Sequence, residues 1–101
     1  MKLYFVYILQ CNDDSYYVGM TSNLKERIEE HNLGKFPEAY TYRRRPLELK
    51  WFEEYTNPNI ALDLEKKIKG WSRKKKEALI LKDWNRLVIL SKNYTQFGKP
   101  E

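Results

Sequence analysis

Apolar positions follow two rhythms along this chain. Leu3-Tyr4-Phe5-Val6-Tyr7-Ile8-Leu9 is apolar or aromatic at every position, as in a strand covered on both faces. Cys11 to Ser15 is a run of turn formers, and Tyr16-Tyr17-Val18-Gly19-Met20 then returns as a second strand. Opposed residues of an antiparallel pair share a constant index sum. Centring the turn on Asn12 sets Tyr7 opposite Tyr17, with both phenols on one sheet face. A one-residue slip would send them to opposite faces.

The spacing then becomes helical. Asn23 as N-cap with Glu26 three residues on forms a capping box, and Gly34 is a stop. Leu24, Ile28 and His31 share one face of this helix, with Arg27 beside them. Lys35 to Arg45 has no clean period and reads as an ordered loop holding Tyr40, Tyr42 and the arginines. Leu47-Glu48-Leu49-Lys50-Trp51 alternates with period two, so a third, half-buried strand is expected to about Tyr55. Asn57-Pro58 opens a second helix whose apolar stripe is Ala61, Leu64, Ile68 and Trp71, with Glu65 at its edge. Gly70 ends it and Ser72 caps a third helix, buried through Ala78-Leu79-Ile80-Leu81. Asp83 either caps a final short helix through Leu90, or Leu87 to Leu90 form a strand; from Ser91 the end is polar and frayed. The order β-β-α-β-α-α with a short C-terminal element predicts an α/β (α+β) layer: a small, mainly antiparallel three-stranded sheet flanked by helices, one domain over residues 1–101.

Composition narrows the function. No apolar run approaches the ~20 residues of a membrane span, and the N-terminal residues lack a signal-peptide pattern. Cys11 is the only cysteine and His31 the only histidine, so neither an internal disulfide nor a zinc cluster is expected. A reducing, cytoplasmic setting follows. The net charge of +5 favours polyanionic partners, above all nucleic acid. The cations are clustered: Lys66, Lys67, Lys69, Arg73, Lys74, Lys75 and Lys76 fall within residues 66–76 without an acid among them, and Arg43-Arg44-Arg45 form a second group. Four cations in the first turn of the third helix oppose its macrodipole, at a few tenths of a kcal/mol each. A sequence that accepts this has another use for the charge.

Taken singly, Tyr7, Tyr17, Arg27, His31 and Glu65 have ordinary explanations. Strand tyrosines pack, Arg27 can pair with Glu30, a lone helix histidine is usually a hydrogen-bonded core residue, and a glutamate before lysines is usually an ion-pair partner. The lysine run is by default a solvated face. Together they meet the needs of phosphodiester cleavage: a cation on the phosphate, an activated oxygen nucleophile and help for the leaving alkoxide. Glu65 could hold one Mg²⁺ or Mn²⁺, since hard cations want carboxylate oxygens. With a single well-placed acid, one ion is expected rather than two. Arg27 offers a bidentate fork to the phosphate. A tyrosine beside a cation can lose its proton below its usual pKa of ~10 and act as base, and His31 can orient water or pass a proton. Arg43, Arg44, Arg45, Lys66, Lys69, Arg73, Lys74, Lys75 and Lys76 would then carry the nucleic-acid backbone.

At these residues the sequence resembles the GIY-YIG nuclease family, and most of all its small stand-alone bacterial members, which are related to the nuclease domain of an excision-repair endonuclease. Phe5-Val6-Tyr7 and Tyr17-Val18-Gly19 stand where the family has its two tripeptides, with Thr21 after the second. Arg27, His31 and Asn32 match an Arg-x-x-x-His-Asn helix, Thr41 and Arg43-Arg44-Arg45-Pro46 a basic loop, and Glu65 with Ile68-Lys69 and Ser72-Arg73 the helix of the metal-binding glutamate. The resemblance covers about residues 3–81, leaving 82–101 as a tail. Phe5 replaces the first glycine, Val replaces Ile in both tripeptides, and the asparagine that some members carry after the glutamate is not placed by the resemblance. The resemblance implies a three-stranded sheet flanked by helices and one divalent ion. It also implies a motif tyrosine as base and Arg27 on the phosphate.

The leading expectation is thus a metal-dependent endonuclease that hydrolyses DNA, in repair or recombination, with DNA ahead of RNA as substrate. The alternative is a non-catalytic DNA- or RNA-binding module of the same fold. A plain interaction domain, charged only for solubility, is the third reading.

Overall fold

The structure, a computed structural model, describes residues 1–96, with side chains described to Ser91. Strands β1 (Tyr4–Gln10), β2 (Tyr16–Thr21) and β3 (Glu48–Tyr55) form one antiparallel sheet in the order β2-β1-β3. With helices α1 (Leu24–Asn32), α2 (Pro58–Lys69), α3 (Arg73–Ile80) and α4 (Trp84–Gln96), the fold is α+β. The chain divides into two compact units, Met1–Lys69 and the segment from Gly70 onward.

The first hairpin sits two residues deeper in index sum than a turn centred on Asn12 requires. Tyr7 faces Gly19, and Tyr17 faces Leu9. The turn spans Cys11 to Ser15 as expected but is centred on Asp13: Cys11 N–H donates to Ser15 O at 2.8 Å and Asp14 N–H to Cys11 O at 2.9 Å, with Asp14 left-handed at φ 67°. Asp13 holds it from inside, its Oδ1 accepting from the Ser15 hydroxyl at 2.6 Å and amide at 3.1 Å. A two-step shift keeps side-chain parity, so Tyr7 and Tyr17 still share a face, as diagonal rather than direct neighbours.

β3 departs from its period-two pattern. Ile8 pairs with Trp51 but Leu9 with Leu49, so Lys50 is an extra, bulged residue. Leu49 therefore lies on the face of Leu9 and Tyr7, and Trp51 on the face of Ile8. Tyr7, Leu9, Cys11 and Leu47 make a buried cluster against which Tyr17, Leu49 and the α1 residues Leu24 and Ile28 pack. α1 starts on the Asn23 cap, whose side chain accepts from Glu26 N–H at 3.2 Å, and Gly34 follows its end at φ 74°. α2 begins at Pro58 and packs against all three strands, with Ala61 and Ile68 buried.

In the second unit, Ser72 caps α3 by accepting from Lys75 N–H, and Ala78 and Leu79 are buried. Asp83 caps α4 through Arg86 N–H at 3.1 Å. The helix alternative for residues 84–90 is the one realised. It runs on to Gln96, past the Ser91 expected to begin a frayed end; the last residues of that end, 97–101, lie outside the described residues. Among the described residues no helix is long and apolar enough to cross a membrane.

Candidate active site

Four of the five candidate side chains come from β1, β2 and α1. Tyr7 is fully buried, its ring 6.4 Å from that of the half-buried Tyr17. Gly19 makes this possible, because a Cβ there would stand 2.6 Å from Tyr7 Cζ and 3.1 Å from Tyr17 Cε2. The His31 ring meets Tyr17 edge-on at 5.4 Å, and Phe36 likewise at 5.4 Å on another side. Tyr40 stacks on Tyr17 at 6.5 Å.

Arg27 lies beside this cluster. It pairs with Glu30 at 3.5 Å, and its guanidinium is 5.8 Å from the Phe36 ring. Its positive charge is felt at the Tyr7 phenol. Glu65 reaches the same phenol electrostatically. Its side chain is only 13% exposed and its carboxylate is held by Lys69 Nζ at 2.9 Å. All five candidates lie in the first unit.

The tyrosine expected to lose its proton easily does not do so here at Tyr7. Burial, then the neighbouring Tyr17, push its pKa up to about 12; Arg27 opposes this and Glu65 adds to it. In the protein alone Tyr7 is a protonated phenol. Burial likewise pushes His31 below its usual range, and the Arg27 charge does the same. The imidazole is neutral near pH 7. Its Nδ1 is hydrogen-bonded to Thr41 Oγ1 at 2.8 Å, while Nε2 is buried with no partner.

One carboxylate is a sparse donor set. Among the described residues no group of three or more His, Cys, Asp or Glu comes together. Mg²⁺ accepts this, since it keeps several waters and takes one or two carboxylates plus substrate phosphates. Glu65, protected from solvent and held only by a side-chain ammonium, fits that pattern.

The basic residues divide by use. Arg44 donates through Nε to Asp13 Oδ2 at 3.0 Å and through Nη1 to Tyr40 O at 2.8 Å, and covers the Tyr40 ring at 3.8 Å. Arg45 donates to Tyr42 O at 2.8 Å and lies 4.5 Å from the Tyr42 ring. Both hold the loop together, whereas Arg43 is exposed. Lys66 and Lys69 are exposed on α2, and Lys74 on α3. In the second unit Arg73 pairs with Glu77 at 3.1 Å, and Lys75 sits 4.4 Å from the Trp71 ring. Burial pushes Lys75 and Lys76 below the usual lysine range, with Arg73 adding to this at Lys76.

Two residues do more than the local pattern announces. Asn32 brackets Leu47, accepting from its N–H at 2.7 Å and donating to its carbonyl at 3.2 Å, and so ties the end of α1 to the entry of β3. Thr41 is 1% exposed inside a polar loop. A β-branched residue between Tyr40 and Tyr42 was the only hint of its burial.

A small antiparallel sheet with paired tyrosines on adjacent strands, a helix bearing Arg and His, and a protected glutamate define a GIY-YIG-type domain. Residues 3–78 match the family described as the GIY-YIG catalytic domain, and the chain belongs to this nuclease-type family. Its relatives are UPF0213 proteins. That of Syntrophus aciditrophicus is 39% identical over 87 residues, 86% of this chain and 100% of the relative. One from Staphylococcus epidermidis is 42% identical over 80 residues, 79% and 96% of the two chains. The solution NMR structure of a protein from E. faecalis is similar at 31% identity and a TM-score of 0.58, covering 84% of this chain and 88% of that one. A UPF0213 protein from Bacillus halodurans, also solved by NMR, gives 37% identity and 0.51, covering 77% and 82%.

Proposed function

We propose that this protein is a divalent-metal-dependent endonuclease that hydrolyses DNA phosphodiester bonds in the cytoplasm. The observation that carries the reading is geometric: the buried Tyr7 ring lies 6.4 Å from Tyr17, Tyr17 meets the His31 ring at 5.4 Å, and Arg27 lies over the Phe36 ring that also meets His31. The buried, unpaired thiol of Cys11 suits a reducing compartment.

Glu65 is the residue that would hold one Mg²⁺ or Mn²⁺, which when bound supplies Lewis-acid stabilisation of the phosphate and the departing oxygen. Arg27 would turn its fork from Glu30 to the scissile phosphate, where charge grows in the transition state. Tyr7, protonated, would donate a hydrogen bond to a phosphate oxygen. Tyr17 and His31, in edge contact, would receive the proton of the attacking water. The exposed Arg43, Lys66 and Lys74 are the first candidates for backbone contacts, with DNA ahead of RNA.

One observation favours the non-catalytic binding module: the Lys69 ammonium already pairs with Glu65. A cleavage screen decides between them. Single-stranded, duplex and branched DNA and RNA are incubated with and without Mg²⁺ or Mn²⁺, with Glu65→Ala as control. Cleavage that needs both the ion and Glu65 supports the enzyme. Binding without cleavage of any substrate makes the protein a module.

A further inference from the structure

We infer that Thr41 is a positioning residue that holds His31 as its Nδ1–H tautomer, leaving Nε2 as the proton-accepting atom of the site. This deepens the nuclease reading and rests on it for its catalytic meaning. Three observations carry it: Thr41 Oγ1 is 2.8 Å from Nδ1, both side chains are buried, and Nε2 has no partner.

A neutral imidazole carries one proton, and the hydrogen bond at one nitrogen sets the state of the other. If Thr41 donated to Nδ1, the proton would sit on Nε2 as a buried, unpaired N–H. Orphaned buried donors are rarer than under-satisfied acceptors. If instead Nδ1–H donates to Thr41 Oγ1, Nε2 keeps only an unshared electron pair. The second arrangement is therefore the stable one, and it is the one a base needs. Nε2 then takes a proton from the attacking water, directly or through the Tyr17 hydroxyl. As the water oxygen bonds to phosphorus, the bond from phosphorus to the leaving oxygen breaks and that oxygen takes a proton from solvent, while the proton of the attacking water is carried by a transient imidazolium that Nδ1–H···Oγ1 holds in place.

Phe36 and Tyr17 enclose the ring on two sides, so its orientation is set by packing. Packing alone does not choose between tautomers, because the two neutral rings have the same shape. A polar partner does, and Thr41 is the hydroxyl that meets this ring.

The sequence holds one histidine, so a long-range proton–nitrogen correlation spectrum of the uniformly ¹⁵N-labelled protein reads this ring alone. The expected wild-type spectrum has Nε2 as the deshielded, unprotonated nitrogen. Thr41→Val keeps the shape and removes the hydroxyl; its two nitrogen shifts should move toward the average of mixed tautomers, and cleavage should fall about ten- to a hundredfold. Thr41→Ser should keep the wild-type spectrum and most of the rate. A wild-type spectrum with the proton on Nε2 overturns the assignment, and so does a Thr41→Val protein with unchanged shifts. If Thr41→Val does not fold, the wild-type spectrum and Thr41→Ser still decide. Should the wild type cleave nothing while its spectrum is as expected, the nuclease reading fails and the tautomer assignment stands.

Discussion

Tyr7 faces Gly19 across the first hairpin, and its phenol lies over the glycine where any side chain would stand. In this chain the second tripeptide thus ends in glycine for a steric reason: Gly19 makes room for Tyr7 of the first. Gly19→Ala should push the Tyr7 ring out of place. We expect a loss of about 1–3 kcal/mol of stability, as for overpacking elsewhere, and a fall in cleavage larger than that stability change explains. Thermal melts and single-turnover rates check it; an alanine variant matching wild type in both would mean that the ring moves freely.

The raised pKa of Tyr7 makes stability fall in alkali. Its folded value, about 12, lies above the ordinary 10, so the folded state keeps a proton that the unfolded chain gives up. The contribution is complete below pH ~10 and disappears as pH rises toward 12, by roughly 2–3 kcal/mol at ~1.4 kcal/mol per unit. Denaturant melts at rising pH should show this slope in wild type and a shallower one in Tyr7→Phe. For His31 the sign is reversed. Its lowered pKa gives stability that is complete above pH ~6.5 and is lost as pH falls through the folded value.

Glu65 and Lys69 should respond in opposite directions. Glu65→Gln removes the charged ligand and should abolish metal-dependent cleavage, with a melting temperature within a few degrees of wild type. Lys69→Met removes an ammonium that competes for the same carboxylate. Mn²⁺ should then bind about two- to tenfold more tightly by calorimetry, of the order expected for one partly exposed ion pair. Weaker binding in Lys69→Met would mean that the lysine supports the ion instead of competing with it.

The loop arginines should separate by measurement. Arg44→Ala loses Asp13, the Tyr40 carbonyl and the Tyr40 ring together, and should cost about 1 kcal/mol of stability. Arg43→Ala should leave the melting temperature alone and weaken DNA binding. Neutral replacement of Lys74, Lys75 and Lys76 should flatten the dependence of binding on salt, by about one unit of log–log slope for each phosphate no longer neutralised. An unchanged slope would move the footprint to Arg43, Lys66 and Lys69.

Local patterns made most of the fold legible. The Asn23 and Ser72 caps, the Gly34 stop and the all-apolar first strand are signals carried within a few residues. The shared face of Tyr7 and Tyr17 was legible although the turn centre was not, because Asp14 adopts a left-handed backbone and the turn closes around Asp13 instead of Asn12. The destinations of Arg44 and Asn32 were not legible. Their partners, Asp13 and Leu47, are 31 and 15 residues away, and nothing in a basic run or a helix end announces them. The unresponsive Tyr7 proton was hidden for a similar reason: its cause is burial, which a strand pattern gives only as a face.

The extra residue at Lys50 makes β3 change phase partway along its length. Residues before it read odd positions onto the side of Leu9, and residues after it read even ones, with Phe52 facing Tyr7. A single frame of alternation cannot describe such a strand. In comparing this chain with its relatives, a gap slid by one position across residue 50 would exchange inside for outside over a run of positions. Trp51 would then be matched to the wrong core, while overall identity would scarcely register the error. The bulge is the point at which an alignment of these proteins should be pinned.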